Sequence, residues 1–413
     1  MTSISDPLTL PCGVVLSNRI AKAAMSEQLA DRNNAPDHRL RNLYGRWSNS
    51  GAALLITGNV MVVPSAVSEP RQVVLDDDGR LAAFRGWAQA ATANGTHAWL
   101  QINHAGRQIP RFLTLRPKAP SAVTVSSGLG LFGSPRELSH REIVDLVDRF
   151  AATAGLAIQS GFTGIEIHAA HGYLISQFLS PATNTRTDRW GGSPERRRRF
   201  LIAVVEAVRL AVGPHVPLAV KLNSADFQRG GFTEDESLET IDALAAAGID
   251  LLEISGGTFE SAAMVGATQP PTRASTRARE AYFLTFAERA RSRVAMPLMV
   301  TGGFRSSAGM NAALSAGVDV VGIARPMAVE PDLPVKLLAG FESEIDHDRL
   351  TGHQGAKRRN TFVRAAADIM WHTEQLRRMA RGDDPDLRIN PTASVARMLA
   401  SQALASTMRK LSA

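Results

Sequence analysis

Two histidines and a tyrosine close the stretch Gly161 to Tyr173, which reads Gly-Phe-Thr-Gly-Ile-Glu-Ile-His-Ala-Ala-His-Gly-Tyr. Gly164 to His168 has the apolar, β-branched content of a short interior strand, which puts His168 at its carboxyl end. An uninterrupted strand would send residues three apart to opposite faces. If the chain instead turns over Ala169 to Gly172, then His168, His171 and Tyr173 all face one cavity, at the strand end where α/β enzymes place their chemistry. Three chemistries suit such a triplet. Two histidines can ligate a metal, although no carboxylate or cysteine beside them offers a third ligand. They can be satisfied buried side chains next to a packing tyrosine. Or they can be neutral imidazoles that each donate an N–H to a substrate oxyanion while the tyrosine supplies a proton. The triplet alone leaves all three open.

The surrounding chain supplies the frame. Short apolar runs alternate with longer helical patterns, the signature of a parallel α/β fold. Eight strands are expected at Arg19 to Met25, Ala52 to Val62, His97 to Asn103, Gly164 to His168, Leu218 to Asn223, Asp250 to Ser255, Leu298 to Thr301 and Asp319 to Ala324. Helices are expected between them at Arg39 to Ser50, Leu81 to Asn94, His140 to Ser160, Glu195 to Val212, Asp235 to Ala247, Glu280 to Arg293 and Ala308 to Ala316. Gly51, Gly95, Gly161, Gly213, Gly248 and Gly317 follow helices where a left-handed cap belongs. No Gly-x-Gly-x-x-Gly follows the first strand, so a (β/α)8 TIM barrel over residues 1–340 fits better than an open doubly wound sheet.

Two long insertions break the rhythm, Ala105 to Leu138 and Gly172 to Pro194. Both follow strand ends, as walls or lids of a site do. Ser193 is expected to cap the next helix with Pro194 at its first position. Residues 341–413 lose the alternation and read as a helical C-terminal extension, with Val395, Met398, Leu399, Met408 and Leu411 at helical spacing. Docking on its own barrel or on a sister chain is the expected role, so a homo-oligomer is expected.

The composition excludes other classes. The chain has 413 residues, 44% hydrophobic and 21% charged, which is ample for a large globular core. No window is apolar for long enough to span a membrane, and the start lacks the pattern of a secretory signal, so a cytoplasmic protein is expected. The formal charge of +7 collects in short runs such as Arg196 to Arg199 without interleaved aromatics, so solvated helix faces account for it better than nucleic acid. Cys12 is the only cysteine, which rules out an internal disulfide or a four-cysteine iron-sulfur cluster.

Two further motifs point to a phosphate. Thr301-Gly302-Gly303 ends the seventh strand and Gly322-Ile323-Ala324-Arg325 ends the eighth, and these are the turns that bind phosphate in such barrels. A cofactor anchored there would lie across the mouth, within reach of Met25, Gln101 and Lys221. The Gln101 amide can both donate to and accept from a heteroaromatic ring. Lys221, inward on its strand, needs a negative partner. A reduced flavin would provide one, and so would Glu166 or Glu253.

These residues carry a resemblance to the Old Yellow Enzyme family of flavin oxidoreductases, over roughly residues 6–340. The matching pieces are Ser17-Asn18-Arg19-Ile20 leading to Ala24-Met25, Gln101-Ile102-Asn103-His104-Ala105-Gly106-Arg107, His168-Ala169-Ala170-His171-Gly172-Tyr173, Phe178-Leu179-Ser180-Pro181, the run from Asn184 to Pro194, and Ala324-Arg325. The resemblance implies non-covalent FMN and NADH or NADPH as hydride donor. It implies reduction of activated C=C bonds in enone-type small molecules, with His168 and His171 holding the carbonyl oxygen and Tyr173 donating the proton. Ala24, Met25, Asn59, Gln101, Lys221, Gly302, Gly303, Ala324 and Arg325 fall at cofactor-binding positions. The chain departs from relatives that carry an arginine where Lys221 stands, and a cysteine and a tyrosine where Ser26 and Gln28 stand. A flavin-dependent oxidase, dehydrogenase or isomerase, or a non-catalytic flavin-binding assembly protein, are the alternatives.

Overall fold

The computed structural model describes residues 2–125, 130–257, 284–304, 306–343, 361–391 and 394. Eight parallel strands form the centre: β1 (Ile20–Lys22), β2 (Leu54–Ile56), β3 (His97–Asn103), β4 (Gly164–Ala169), β5 (Leu218–Asn223), β6 (Leu251–Ser255), β7 (Leu298–Thr301) and β8 (Val320–Ile323). Each pairs with the next, and β8 pairs with β1, so the sheet closes into the expected barrel. Closure leaves no edge strand to protect. The expected second strand is broken: β2 stops at Ile56, and Val60–Met61 is a separate strand beside β3.

Helices α1 (His38–Ser48), α2 (Leu81–Thr92), α3 (His140–Gln159), α4 (Pro194–Val212), α5 (Glu234–Ala246), α6 (284–291) and α7 (Ser307–Ser315) follow the first seven strands, and α8 (Leu333–Leu338) comes after the last. The expected start of the sixth helix, 280–283, lies outside the described residues. Gly51, Gly95, Gly161, Gly213, Gly248 and Gly317 all have positive φ, as the sequence implied. Ser139 with Glu142 and Thr233 with Glu236 form reciprocal capping boxes at α3 and α5. Ser193 occupies the cap position of α4 but its side chain makes no capping bond. Its hydroxyl pairs with Glu195 instead, and Pro194 holds the first helical position.

Pleating sorts the strand residues into two cores. Even-numbered apolar residues such as Leu100, Ile102, Val220 and Leu252 face the helices. Odd-numbered Ala21, Trp99, Ala219, Leu251 and Met299, with Leu54, Ile56 and Val320, fill the barrel's lower interior. The antiparallel ribbon Leu8–Thr9 with Val15–Leu16 contributes Leu10 and Leu16 to that inner cluster. Trp99 is too large for a normal neighbour on β4, and Gly164 makes the room: a Cβ there would stand 2.5 Å from the indole.

Helix α9 (Thr361–Ala380) lies against α1 and the short helix Pro326–Val329 of its own chain. Trp371 is fully buried and its indole N–H donates to the Ile389 carbonyl at 2.8 Å, while Asn42 on α1 donates to the Ala380 carbonyl. Val395, Met398, Leu399, Met408 and Leu411 lie outside the described residues. Among the described residues no helix is long and apolar enough to cross a membrane.

Gly164→Ala tests the barrel packing. The added methyl overlaps a buried indole and should cost ~1–3 kcal/mol, read as a lower urea midpoint with an unchanged slope. Undiminished stability would show that Trp99 is not confined.

Candidate active site

The carboxyl end of β4 turns as the triplet requires. His171 adopts a left-handed backbone, φ 61°, and its N–H donates to the Asn223 side chain at 3.2 Å while its carbonyl accepts from Gln108 at 2.9 Å. A non-glycine residue in this region is uncommon and is held here by neighbours on β5 and in the first insertion. The result is convergence. The His168 ring lies 5.1 Å from that of His171 and 4.9 Å from that of Tyr173, centroid to centroid and edge to face in both cases.

Hydrogen bonds fix how the rings present themselves. The Ala170 N–H donates to His168 Nδ1 at 3.2 Å, so a neutral His168 carries its proton on Nε2 and is a donor there. His171 Nε2 lies 2.8 Å from the Ser255 hydroxyl at the end of β6. If Ser255 donates in that bond, the His171 proton is on Nδ1. Burial, reinforced by the neighbouring His171 and the Lys221 charge, holds His168 well below the usual histidine range. Burial and Lys221 push His171 down to about 3. Both rings are therefore neutral donors near neutral pH. Burial pushes the Tyr173 phenol above its ordinary value, the Glu69 charge adds to this, and a hydrogen bond from Asn59 opposes it. The phenol stays protonated.

Asn59, after β2, sits between Tyr173 and Gln72, whose amide donates to Asn59 Oδ1 at 2.7 Å. Glu69 accepts from Ser26 at 2.5 Å and from Gln28 at 2.8 Å. Ser26 and Gln28, two of the three positions at which the sequence departs from the resemblance, thus hold a carboxylate at the mouth. Sequence reading gave Glu69, Gln72 and Ser255 no role, because each acts through a contact between distant loops.

Below the triplet lies a polar layer at inward positions. Gln101 on β3 donates to Glu166 at 2.6 Å, and Lys221 on β5 donates to Glu253 on β6 at 2.6 Å. All four side chains are nearly inaccessible. Lys221 therefore has a carboxylate partner, the second of the two kinds its burial called for. Asn103 lies two residues beyond Gln101 on the same face, and both of its side-chain polar atoms are buried without partners. The period of two along β3 could have flagged it.

Ala24 and Met25 line the mouth after β1, partly exposed, with the Met25 carbonyl against Gly58. Gly302 and Gly303, φ 123° and 86°, and Ala324 with Arg325 end the last two strands side by side. The N–H of Ser307 at the start of α7 is occupied by the Glu342 carboxylate, at 3.1 and 3.2 Å from its oxygens. A phosphate would therefore rest on the glycine and Ala324–Arg325 turns. Arg325 is 60% exposed and bonds Asp368 of α9 at 2.9 Å. The second insertion braces the first and the start of α3: Arg186 donates to the Pro120 and Leu138 carbonyls, and Trp190 to His140.

The residues present fit FMN. The paired glycines expose backbone for a phosphate, Gln101 and the orphaned Asn103 amide offer both donors and acceptors, and Lys221 offers a positive charge. Fold and site together define a barrel that fits a flavin, with two neutral histidines and a tyrosine converging at its mouth. The comparisons agree. Residues 3–344 match the NADH:flavin oxidoreductase / NADH oxidase family. The NADH-dependent flavin oxidoreductase iliE of Hypocrea jecorina is 40% identical over 360 residues, covering 82% of this chain and 89% of the relative. The protein of the same name from Neonectria sp. is 40% identical over 352 residues, and the chain spans 46% of its length. The old yellow enzyme homologue from Zymomonas mobilis superposes with a TM-score of 0.68 at 25% identity, over 82% of this chain and 93% of that one. The chain belongs to the NADH:flavin oxidoreductase, or Old Yellow Enzyme, family. It is an oxidoreductase whose cofactors are FMN and NAD(P)H.

The neutral histidines have a cost in acid. His104, also pushed down to about 3 by burial, joins His168 and His171. At these positions the unfolded chain takes up protons near pH 6.5 where the folded chain does not, so the histidines' contribution to stability falls as pH drops below about 6.5. His104 alone should cost ~2 kcal/mol between pH 7 and 5, while Glu27, Glu166 and Asp226, raised by burial, offset part of the histidines' combined effect by holding protons that the unfolded chain has lost. Urea unfolding of the parent and of His104→Asn at pH 7 and pH 5 checks this: the variant should lose ~2 kcal/mol less than the parent on acidification, and an equal loss would contradict it.

Proposed function

We propose that the protein reduces activated C=C bonds of α,β-unsaturated carbonyl compounds. The observation that carries this reading is the convergence of His168, His171 and Tyr173 at one strand end, all three uncharged and all three able to donate. When bound, FMN supplies the redox chemistry, taking hydride from NADH or NADPH and delivering it to the β-carbon.

The chain's own residues supply the rest. His168 through Nε2–H, and His171 through the tautomer Ser255 selects, hold the substrate carbonyl oxygen. Their donors strengthen as negative charge grows on that oxygen, which is where preorganised hydrogen bonds lower the barrier most. Neutral rings suit the task, because an imidazolium would protonate the oxygen rather than share a proton with it. Tyr173 delivers its hydroxyl proton to the α-carbon, completing addition of two hydrogens across the double bond, and is reprotonated from solvent. Asn59 holds the phenol oxygen in place during the transfer.

Two variants test these roles. Tyr173→Phe should slow alkene reduction ~100-fold or more, while FMN content and the rate of reduction by nicotinamide stay near those of the parent. Equal slowing of both half-reactions would refute the proton-donor role. Ser255→Ala, which frees the His171 tautomer, should weaken binding of a simple phenol to the oxidised flavoprotein ~5-fold, followed as loss of its long-wavelength absorbance. Unchanged affinity would remove Ser255 from the oxyanion site.

A further inference from the structure

The polar layer under the mouth contains a feature that the proposed reaction does not use. Lys221 and Glu253 face each other across β5 and β6, and Gln101 and Glu166 across β3 and β4, each in direct register. Glu253 Oε1 is taken by Lys221 and Glu166 Oε2 by Gln101. That leaves Glu166 Oε1 and Glu253 Oε2, both buried and neither with a donor from any other residue. The two carboxyl groups lie within hydrogen-bonding reach of each other. Two ionised carboxylates offer only acceptors and repel at this range, so the contact is stable only if one of them carries a proton.

The surroundings say which one. Lys221 donates to Glu253, favouring its charged form, whereas Glu166 has only the neutral Gln101 amide. Burial and the Glu253 charge raise Glu166 well above the usual carboxylate range, while the Lys221 charge holds Glu253 below it. The other nearby cation, Lys22, points between β1 and α1, where Tyr44, the Ile56 carbonyl and Glu27 hold it. The chain therefore runs from Gln101 through a neutral Glu166 and an ionised Glu253 to Lys221, and both of its ends are residues that would meet the flavin on the proposed reading.

We propose that Glu166 and Glu253 share a single proton, and that the one negative charge they hold sets the potential of the bound flavin by cancelling part of the Lys221 charge. The proposal rests on the FMN reading of the site. A lone buried lysine beside the ring would favour the reduced, negatively charged cofactor strongly, and a matched carboxylate removes much of that bias. Either carboxyl can carry the charge. With Glu166→Gln, the new amide donates to Glu253 and accepts from Gln101. With Glu253→Gln, Glu166 ionises and takes over the balancing of Lys221. Only the double variant leaves the lysine unmatched. Glu166 and Glu253 are thus positioning residues, acting on the cofactor through Lys221 and Gln101.

Two measurements on the full chain test this. Infrared difference spectra at neutral pH, parent minus variant, should show a protonated carboxyl stretch lost in Glu166→Gln and in Glu253→Gln alike. Subtraction removes Glu27 and Asp226, the other acids among the described residues that burial raises. No loss in either single variant overturns the shared proton. In the FMN-loaded proteins, the ratio of reduced to oxidised flavin at one poised potential should stay within about threefold of the parent in each single variant. It should rise about tenfold or more in Glu166→Gln/Glu253→Gln. An equal ratio in parent and double variant overturns the tuning role. A chain that binds no FMN sinks the flavin reading and the tuning role with it, while the infrared arm, which needs neither flavin nor the double variant, still decides the shared proton.

Discussion

One left-handed residue sets the geometry on which the site depends. A strand continuing straight through Ala170 would throw His171 and Tyr173 away from His168. The φ of 61° at His171 turns the chain instead, and three side chains from six consecutive residues meet over the barrel. That backbone is held from both sides, by Asn223 at the end of β5 and by Gln108 from the insertion after β3. The insertions are therefore more than cover. Gln108 of the first insertion holds the turn directly, while Arg186 and Trp190 tie the second insertion to the first and to the start of α3.

The same mouth concentrates groups that are costly to bury. Lys221, Glu166 and Glu253 sit where a barrel of this kind ordinarily packs branched apolar residues. Replacing such a network with hydrophobic side chains is often neutral or stabilising, so its presence is better explained by what lies above it than by the stability of the fold. Burial keeps both histidines neutral and the field of Lys221 adds to it, which ties their charge state to the layer below. The apolar plug of Trp99, Leu251 and Met299 beneath it keeps that field in a dry interior.

The barrel was legible because each unit wrote its own local signals. β-branched runs marked the strands, and glycines at 51, 95, 161, 213, 248 and 317 marked the helix ends, each with the positive φ that only glycine adopts without strain. The convergence of His168, His171 and Tyr173 was legible as a possibility, since it needed only a turn whose length the sequence shows. What could not be read was which distant partner each polar side chain would choose. Lys221 needed a negative neighbour, but only strand register selects Glu253. Asn59 and Gln72 are separated by a loop whose path no periodicity reveals. Arg325 could be placed beside a phosphate, yet its contact with Asp368 depends on the docking of α9, more than forty residues on and beyond a stretch with no strand–helix rhythm.

The most direct measurement is an anaerobic titration of the yellow, FMN-loaded protein, followed by its flavin absorbance. NADH or NADPH should bleach the flavin, and one equivalent of a simple cyclic enone should restore the oxidised spectrum with release of the saturated ketone. A protein that is bleached but not recoloured by enones, or that emerges colourless and takes up no FMN, would contradict the account.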